Sequence, residues 1–226
     1  MLKREVIKTD DGSSTIFIPD LNECYHSTHG AINESMHIFI DAGFRRAIYD
    51  KTQINILEVG FGTGLNALLT VIESLEKPYS IFYQGIEPYP VYKSELDQIN
   101  YPEKINNSQS QLLFEKIHQC EWETPQPNTV NFNLLKTQQK IEEVKLPDNS
   151  FDLVYFDAFA PTVQPDLWQT TIFEKIFRSM REGGILVTYS CKGDVKRAMK
   201  ACGFVIEKLP GPTGKREFLR ATKVIQ

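Results

Sequence analysis

Three glycines on alternate positions, Gly60, Gly62 and Gly64, constrain this chain more than any other feature. They follow Ile54-Asn55-Ile56-Leu57-Glu58-Val59, a short apolar run of the kind that forms a buried parallel strand, and lead into Leu65 to Ser74, which reads as a helix. The chain must turn sharply from strand to helix there, and glycine also lets a bulky ligand come close to the backbone. In an open α/β sheet, the crevice at the carboxyl end of such a strand is where ligands sit.

The spacing narrows the ligand. It departs from the G-x-G-x-x-G of dinucleotide sites, and the phosphate loop G-x-x-x-x-G-K-[ST] is absent. Glu58, two residues ahead of the first glycine, would repel a pyrophosphate but can accept hydrogen bonds from a cationic amino acid. E-x-G-x-G-x-G resembles motif I of the S-adenosylmethionine-dependent methyltransferases, whose ligand carries an ammonium and a sulfonium and no phosphate. The resemblance implies S-adenosyl-L-methionine as cofactor, with Glu58, Gly60, Gly62, Gly64 and Asn66 as binding residues. The competing reading is a glycine-rich turn with no ligand.

Length and composition set the frame for this loop. At 226 residues the chain is expected to form one domain spanning 1–226, with residues 1–50 as a hairpin and helix packed on it. No apolar run approaches the roughly 18 residues of a membrane span, and the N-terminus lacks a signal peptide's apolar core. Cys24, Cys120, Cys191 and Cys202 are scattered without a C-x-x-C pair, which fits reduced thiols and a cytoplasmic protein. Three histidines lie within 26–37, but no acid or thiol spacing makes them a metal site, and none is expected. Net charge is −4, yet residues 181–226 hold ten Lys/Arg against four Asp/Glu, a local balance of +6. That segment is either a footprint for a polyanion or a solvated basic face.

Along the chain, residues 5–18 alternate around Asp10-Asp11-Gly12-Ser13 and predict a small hairpin, followed by a polar, aromatic loop and a helix from Gly30 to about Tyr49. After the glycine loop, the helix is expected to end near Glu76-Lys77-Pro78. Ser80 to Glu87 forms a second strand that stops on an acid. A carboxylate at that tip can accept both ribose hydroxyls of a nucleoside, which singles out Glu87. Residues 91–128 suggest helices around 92–99 and 109–120 and little else; Val130 to Leu135 reads as a third strand and Phe151 to Asp157 as a fourth. A helix is expected from Pro165 to Arg181, stopped by Gly183-Gly184, then a fifth strand at 185–190, a basic helix at 193–202 and a final hairpin around the mobile-looking loop 210–216. The fold expected is Rossmann-like α/β, a seven-stranded doubly wound sheet with a terminal antiparallel hairpin.

Asp157 ends the strand that lies beside the first one, so it should project near the glycine loop. A nitrogen nucleophile must present its lone pair to the methyl group within about 3–3.5 Å. A carboxylate that accepts its hydrogen bond orients it and takes up a proton. Asp157 is therefore the candidate catalytic residue, with Phe159 and Pro161 beside it to contact a flat substrate.

Four segments together resemble one family. They are Tyr25-His26-Ser27 with Gly30, Glu34 and His37; Glu58 to Asn66; Asp157-Ala158-Phe159-Ala160-Pro161 with Pro165-Asp166-Leu167-Trp168; and Gly214-Lys215-Arg216-Glu217. They are similar to the methyltransferase of the MnmC/MnmD family, which acts on the tRNA wobble base 5-aminomethyl-2-thiouridine. The resemblance implies transfer of a methyl group to the exocyclic aminomethyl nitrogen, giving 5-methylaminomethyl-2-thiouridine. It also implies the stand-alone form without the flavin-dependent oxidase domain, so that separate upstream enzymes supply the precursor. The wobble base lies in the single-stranded anticodon loop, where aromatic side chains can grip it. Tyr25, Phe61 and Phe159 are candidates, Tyr25 counting also toward the cofactor site. Lys192, Lys196, Arg197, Lys215 and Arg216 would meet phosphates. One position departs from the family pattern: where an acid usually receives the adenine amino group, this chain reads Leu135-Lys136-Thr137-Gln138, leaving Thr137 or Gln138 as acceptor. Two other readings compete, a methyltransferase of a small-molecule amine and a non-catalytic binding module of the same fold.

Overall fold

The computed structural model describes residues 2–75 and 77–224; the helix end expected at Glu76 lies outside the described residues. The N-terminus forms a three-stranded antiparallel sheet of β1 (Glu5–Lys8), β2 (Ser14–Ile18) and the two-residue β3 (Glu23–Cys24). The third strand adds to the hairpin that the turn at 10–13 predicts. Helix α1 (Ala31–Ser35) then widens into a π-helix (Met36–Phe44) and closes as α2 (Arg45–Ala47). Gly43 lies in the π-helix, where a Cβ would come within 3.0 Å of Val187 and 3.2 Å of Tyr155. The missing side chain lets this helix lie close against the sheet.

The main sheet is built from β4 (Gln53–Val59), β5 (Ser80–Ile86), β6 (Gln126–Thr129), β7 (Phe132–Thr137), β8 (Phe151–Phe156), β9 (Met180–Thr188), β10 (Phe204–Pro210) and β11 (Glu217–Lys223). Its order is β10-β11-β9-β8-β4-β5-β7-β6. The strands β9, β8, β4, β5 and β7 run parallel, and the β10–β11 hairpin joins antiparallel on β9. This is the doubly wound fold expected, with its seven strands and one more. The extra strand is β6, antiparallel on β7, whose Pro127 is tolerated because it sits at the sheet's edge. Helices α3 (Leu65–Ser74), α4 (Lys93–Leu96), α5 (Tyr101–Lys104), α6 (Ser110–Gln119), α7 (Thr170–Ser179) and α8 (Gly193–Ala201) complete the chain.

Among the boundaries that differ from the sequence reading, two have a plain physical cause. The third strand begins at Phe132 rather than Val130, because Val130 is 97% exposed at the turn between β6 and β7. The helix expected from Pro165 to Arg181 is instead a 3-10 turn (Pro165–Trp168) and α7, which ends at Ser179. Met180 already pairs with Phe151, so Gly183-Gly184 lies inside β9 as an irregularity and does not stop the helix. Buried Asp152 fixes this end of the sheet. Burial pushes its carboxyl up, but the N–H of Asn55 at 2.9 Å, Lys51 at 2.9 Å and Arg181 at 2.7 Å hold it below the usual carboxylate value.

The period of two in the strands decides which side chains share a face. Ile54 and Ile56 pack with Leu68, Val71, Ile117 and Phe39, while Leu57 and Val59 pack with Ile172, Phe173, Ile176 and Val195. Glu58 therefore falls on the face covered by α3. So does Tyr83 of β5, and so does Tyr155 of β8, paired in register with Glu58. Two residues beyond Tyr155, the chain places Asp157 on the same side.

Candidate active site

The carboxyl ends of β4, β5 and β8 open into a cavity of about 1340 Å³. Single small-molecule sites are typically about 300–1,000 Å³, so this one has room for a cofactor and part of a second molecule. It lies where β4 has β5 on one side and β8 on the other, the switch point of a doubly wound sheet.

The glycine loop forms its floor. Gly60 has φ +92°, and a Cβ there would lie 2.3 Å from the carbonyl oxygen of Asp157. The absent side chain leaves room for the backbone of the neighbouring strand's end. Asp157 N–H in turn donates to Val59 O at 2.9 Å. Gly62 has φ +49° and lies under the ring of Tyr25. Gly64 is buried against Phe61, Ile117 and His118 and does not reach the cavity surface. The Phe61 side chain is buried, covering Gly85 and meeting Trp122 edge-on at 6.2 Å. It therefore packs under the loop and is not free to grip a base.

On one side of the loop stands Glu87. Its Oε2 accepts the N–H of Gly62 at 3.0 Å and its Oε1 the N–H of Tyr89 at 2.9 Å. Burial pushes this carboxyl above the usual value against the pull of those two donors. The segment beyond it is held by Arg4, which donates to Tyr89 O at 2.9 Å and Pro90 O at 3.2 Å and lies over the rings of Tyr25 and Tyr92. Sequence reading missed Arg4, for no local signal connects it to residues about 85 positions away.

On the other side stands Asp157. Asn66, in the first turn of α3, donates its Nδ2 to Asp157 Oδ2 at 2.9 Å and to Glu58 Oε1 at 2.9 Å. Tyr83 donates its hydroxyl to Glu58 Oε2 at 2.7 Å. Glu58 is fully buried, and burial pushes its carboxyl well above the usual value. Its side chain does not line the cavity; it reaches the site through Asn66. Asn66 Oδ1 is buried and has no hydrogen-bond partner among the described residues. Burial, followed by the charge of Glu34, raises Asp157 to about 7, while the Asn66 bond and Lys215 pull it back.

The loop after Asp157 is pinned from behind. Trp168 Nε1 donates to Phe159 O at 2.8 Å, and Tyr189 donates its hydroxyl to Ala158 O at 2.8 Å. These bonds give the P-D-L-W segment its physical link to D-A-F-A-P. Phe159 meets Tyr25 edge-on at 5.2 Å on the cavity wall, whereas Pro161 does not line it.

Other expected residues fall elsewhere. Thr137 is buried in the sheet: its hydroxyl accepts from Gln84 Nε2 at 3.1 Å and its carbonyl from Glu87 N–H at 3.0 Å. Gln138, the next residue, lines the cavity and replaces it as the candidate acceptor. Lys215 turns inward, pairing with Glu34 and lying over Tyr189, so it is not a free phosphate contact. The loop it belongs to is tied down, with His37 Nε2 donating to Pro210 O at 2.7 Å. Lys192, Arg197 and Arg216 are exposed outside the cavity, Arg197 paired with Asp194. Among the described residues, no three His, Cys, Asp or Glu are grouped to hold a metal, and no helix is long and apolar enough to cross a membrane.

Residues 101–224 match the family model described as S-adenosyl-L-methionine-dependent methyltransferase. The chain is 30% identical over 218 residues to the tRNA 5-methylaminomethyl-2-thiouridine biosynthesis bifunctional protein MnmC of Ralstonia nicotianae, covering 90% of this chain and 32% of that protein. It is also 30% identical over 218 residues to the protein of the same name from Magnetococcus marinus, covering 91% and 32%. The chain thus spans about a third of the length of the curated relatives it matches. Among solved structures, MNMC2 from Aquifex aeolicus superposes with a TM-score of 0.81 at 26% identity, over 99% of this chain and 71% of that one. Spermidine synthase from Thermotoga maritima, at 14% identity and a TM-score of 0.56, shares the fold.

Proposed function

This chain belongs to the S-adenosyl-L-methionine-dependent methyltransferases, and we propose that it methylates the exocyclic aminomethyl nitrogen of the tRNA wobble base 5-aminomethyl-2-thiouridine, giving 5-methylaminomethyl-2-thiouridine. The observation that carries the reading is Asp157. A carboxylate with a pKa raised to about 7 stands on the wall of a cavity with room for a cofactor and part of a second molecule, with one oxygen held by Asn66 and the other without a hydrogen bond among the described residues.

The residues present fit the cofactor. Glu87 places a carboxylate at the tip of β5, where its remaining lone pairs suit ribose hydroxyls. The orphaned Oδ1 of Asn66 is an acceptor that still needs a donor, as a cationic amino acid would provide. Gly60 and Gly62 bring backbone to the cavity floor, Tyr25 covers the loop, and Gln138 lines the side where an adenine would lie. S-adenosyl-L-methionine, when bound, supplies an electrophilic methyl group on a sulfonium.

The chain's own part is to orient an amine and handle its proton. An aminomethyl group is protonated near neutral pH and has no lone pair to give. A pKa near 7 lets the Asp157 carboxylate take one proton from this ammonium, which frees the nitrogen lone pair before the N–C bond forms. Asn66, itself held by Glu58, fixes one oxygen of the Asp157 carboxylate on the cavity wall. Phe159 and Tyr25 offer apolar walls to a base lifted out of the anticodon loop. The exposed Lys192, Arg197 and Arg216 lie outside the cavity, where the phosphates of a bound loop would run.

The test is direct. The purified protein is incubated with methyl-labelled S-adenosyl-L-methionine and bulk tRNA from cells lacking this gene, and the tRNA is digested to nucleosides. Label in 5-methylaminomethyl-2-thiouridine is the expected result. Cofactor binding without label in any nucleoside would leave the methyltransferase fold standing and remove the tRNA substrate.

A further inference from the structure

Two lysines line the cavity, the exposed Lys140 and the half-buried Lys215. Lys215 leaves the β10–β11 loop and pairs its Nζ with the carboxylate of Glu34, 4.2 Å from the ring centroid of Tyr189. Each part of this seat is held independently of the lysine. The other oxygen of Glu34 accepts the N–H of Ser27 at 2.8 Å, and Glu34 is only 7% exposed. The Tyr189 ring is fixed by its hydroxyl bond to Ala158 O, next to Asp157. Glu34, Tyr189, Asp157 and Lys215 all line the same cavity, and Glu34 and Lys215 both weigh on the ionisation of Asp157.

A carboxylate beside an aromatic face is what an alkylammonium selects: charge pairing on one side and the ring quadrupole on the other. A carboxylate buried to this degree is also costly without a cation, so the seat needs an occupant at all times. The occupant here is a primary ammonium on a methylene, –CH₂–NH₃⁺. The group proposed for methylation is the same –CH₂–NH₃⁺ on a uracil ring.

We infer that Glu34 and Tyr189 form a subsite for a primary alkylammonium, and that Lys215 holds it until the substrate amine takes its place. This rests on the proposed substrate for its biological meaning, but the seat itself is defined by this chain alone. The exchange conserves charge: one ammonium leaves Glu34 and another arrives. A base carrying a neutral hydroxymethyl group cannot replace Lys215 without leaving Glu34 unpaired, so the subsite also selects amine over alcohol. Once released, Lys215 joins the exposed Arg216 and adds a cation on the side where phosphates are expected.

The test uses n-propylammonium as probe and 1-propanol as its neutral counterpart, titrated by calorimetry into the full chain. Lys215→Ala opens the seat, and it should bind n-propylammonium at least tenfold more tightly than the wild type, with no change toward 1-propanol. Adding Glu34→Gln to that variant should abolish the gain. No gain in Lys215→Ala, an equal gain for 1-propanol, or a gain that survives Glu34→Gln would each overturn the subsite. A second measurement needs no substitution in the protein observed: the ¹³Cε resonance of Lys215 in lysine-labelled wild type, assigned by its absence from Lys215→Arg. It should move toward the free-lysine position as n-propylammonium is added, and a resonance unmoved at saturating probe would contradict the exchange. The probe carries no nucleoside, so failure of tRNA methylation leaves this result standing, and failure here leaves the tRNA reaction intact.

Discussion

The side-chain nitrogen of Asn66 stands 2.9 Å from Oδ2 of Asp157 and donates to it. The same nitrogen reaches Glu58 at 2.9 Å, so the first turn of α3 ties the end of one strand to its neighbour. The bond favours the ionised form of Asp157. Asn66→Ala should therefore raise the Asp157 pKa and move the acid limb of the kcat/KM profile to higher pH. Turnover at neutral pH should fall about tenfold to a hundredfold, the range of a hydrogen bond to a charged group. A profile measured from pH 5 to 9 checks both, and an unmoved limb would mean that Asn66 serves the cofactor alone.

Asp157→Ala should leave cofactor affinity near wild type by calorimetry. It should cut turnover by about 10²–10⁴, the contribution of a positioned acid–base group. Wild-type turnover in this variant would remove Asp157 from the mechanism.

The raised pKa also has a stability sign. Asp157 lies at about 7 in the folded chain against 3.8 for an unperturbed aspartate, so folding favours its protonated form. Its contribution to stability is complete below about 3.8 and is lost as the pH rises through about 7. Asp157→Asn does not titrate, so its melting temperature should gain on the wild type between pH 4 and pH 8. Thermal melts that keep a constant offset across that window would contradict the assignment.

Two glycine substitutions should separate space from backbone strain. Gly60→Ala drives a Cβ to 2.3 Å from the carbonyl oxygen of Asp157, backbone against backbone, and adds a left-handed φ. Gly183→Ala carries the φ of +73° with nothing among the described residues within 4 Å of the new Cβ. The second should cost about 1–2 kcal/mol from conformation alone. The first should cost clearly more and displace Asp157, with loss of activity. Urea denaturation of both proteins gives the comparison.

Among the surface cations, Arg216 is exposed, whereas Arg197 already pairs with Asp194. Arg216→Ala should weaken tRNA binding and lower the slope of log affinity against log salt by about one. Arg197→Ala should do less, since its charge is partly offset. Equal slopes in Arg216→Ala and wild type would place the phosphate path elsewhere.

Much of the site is legible in the sequence because it rests on local pattern. The apolar run 54–59, the glycines at 60, 62 and 64 and the acids ending their strands at 87 and 157 each carry their own signal. The period of two even fixes the faces, since 54, 56 and 58 alternate with 57 and 59. What is missed depends on contacts far apart in the chain. Arg4 grips residues 89–90, and Lys215 pairs with Glu34, 181 positions away. Met180 pairs with Phe151 and ends α7 before its helical pattern runs out, an override of local preference by the sheet. Thr137 is the last residue of β7 and Gln138 the first beyond it, and only the point where the strand ends decides which of them reaches the cavity.

The most direct test of the central claim is a single-turnover reaction on a synthetic anticodon stem-loop carrying one 5-aminomethyl-2-thiouridine at the wobble position. Its control is the identical stem-loop with a 5-hydroxymethyl group. With enzyme and methyl-labelled S-adenosyl-L-methionine in excess, one methyl group per stem-loop should appear on the exocyclic nitrogen of the first, and none on the second. Label on another atom, on both stem-loops or on neither would contradict the account of Asp157 as the residue that takes this amine's proton.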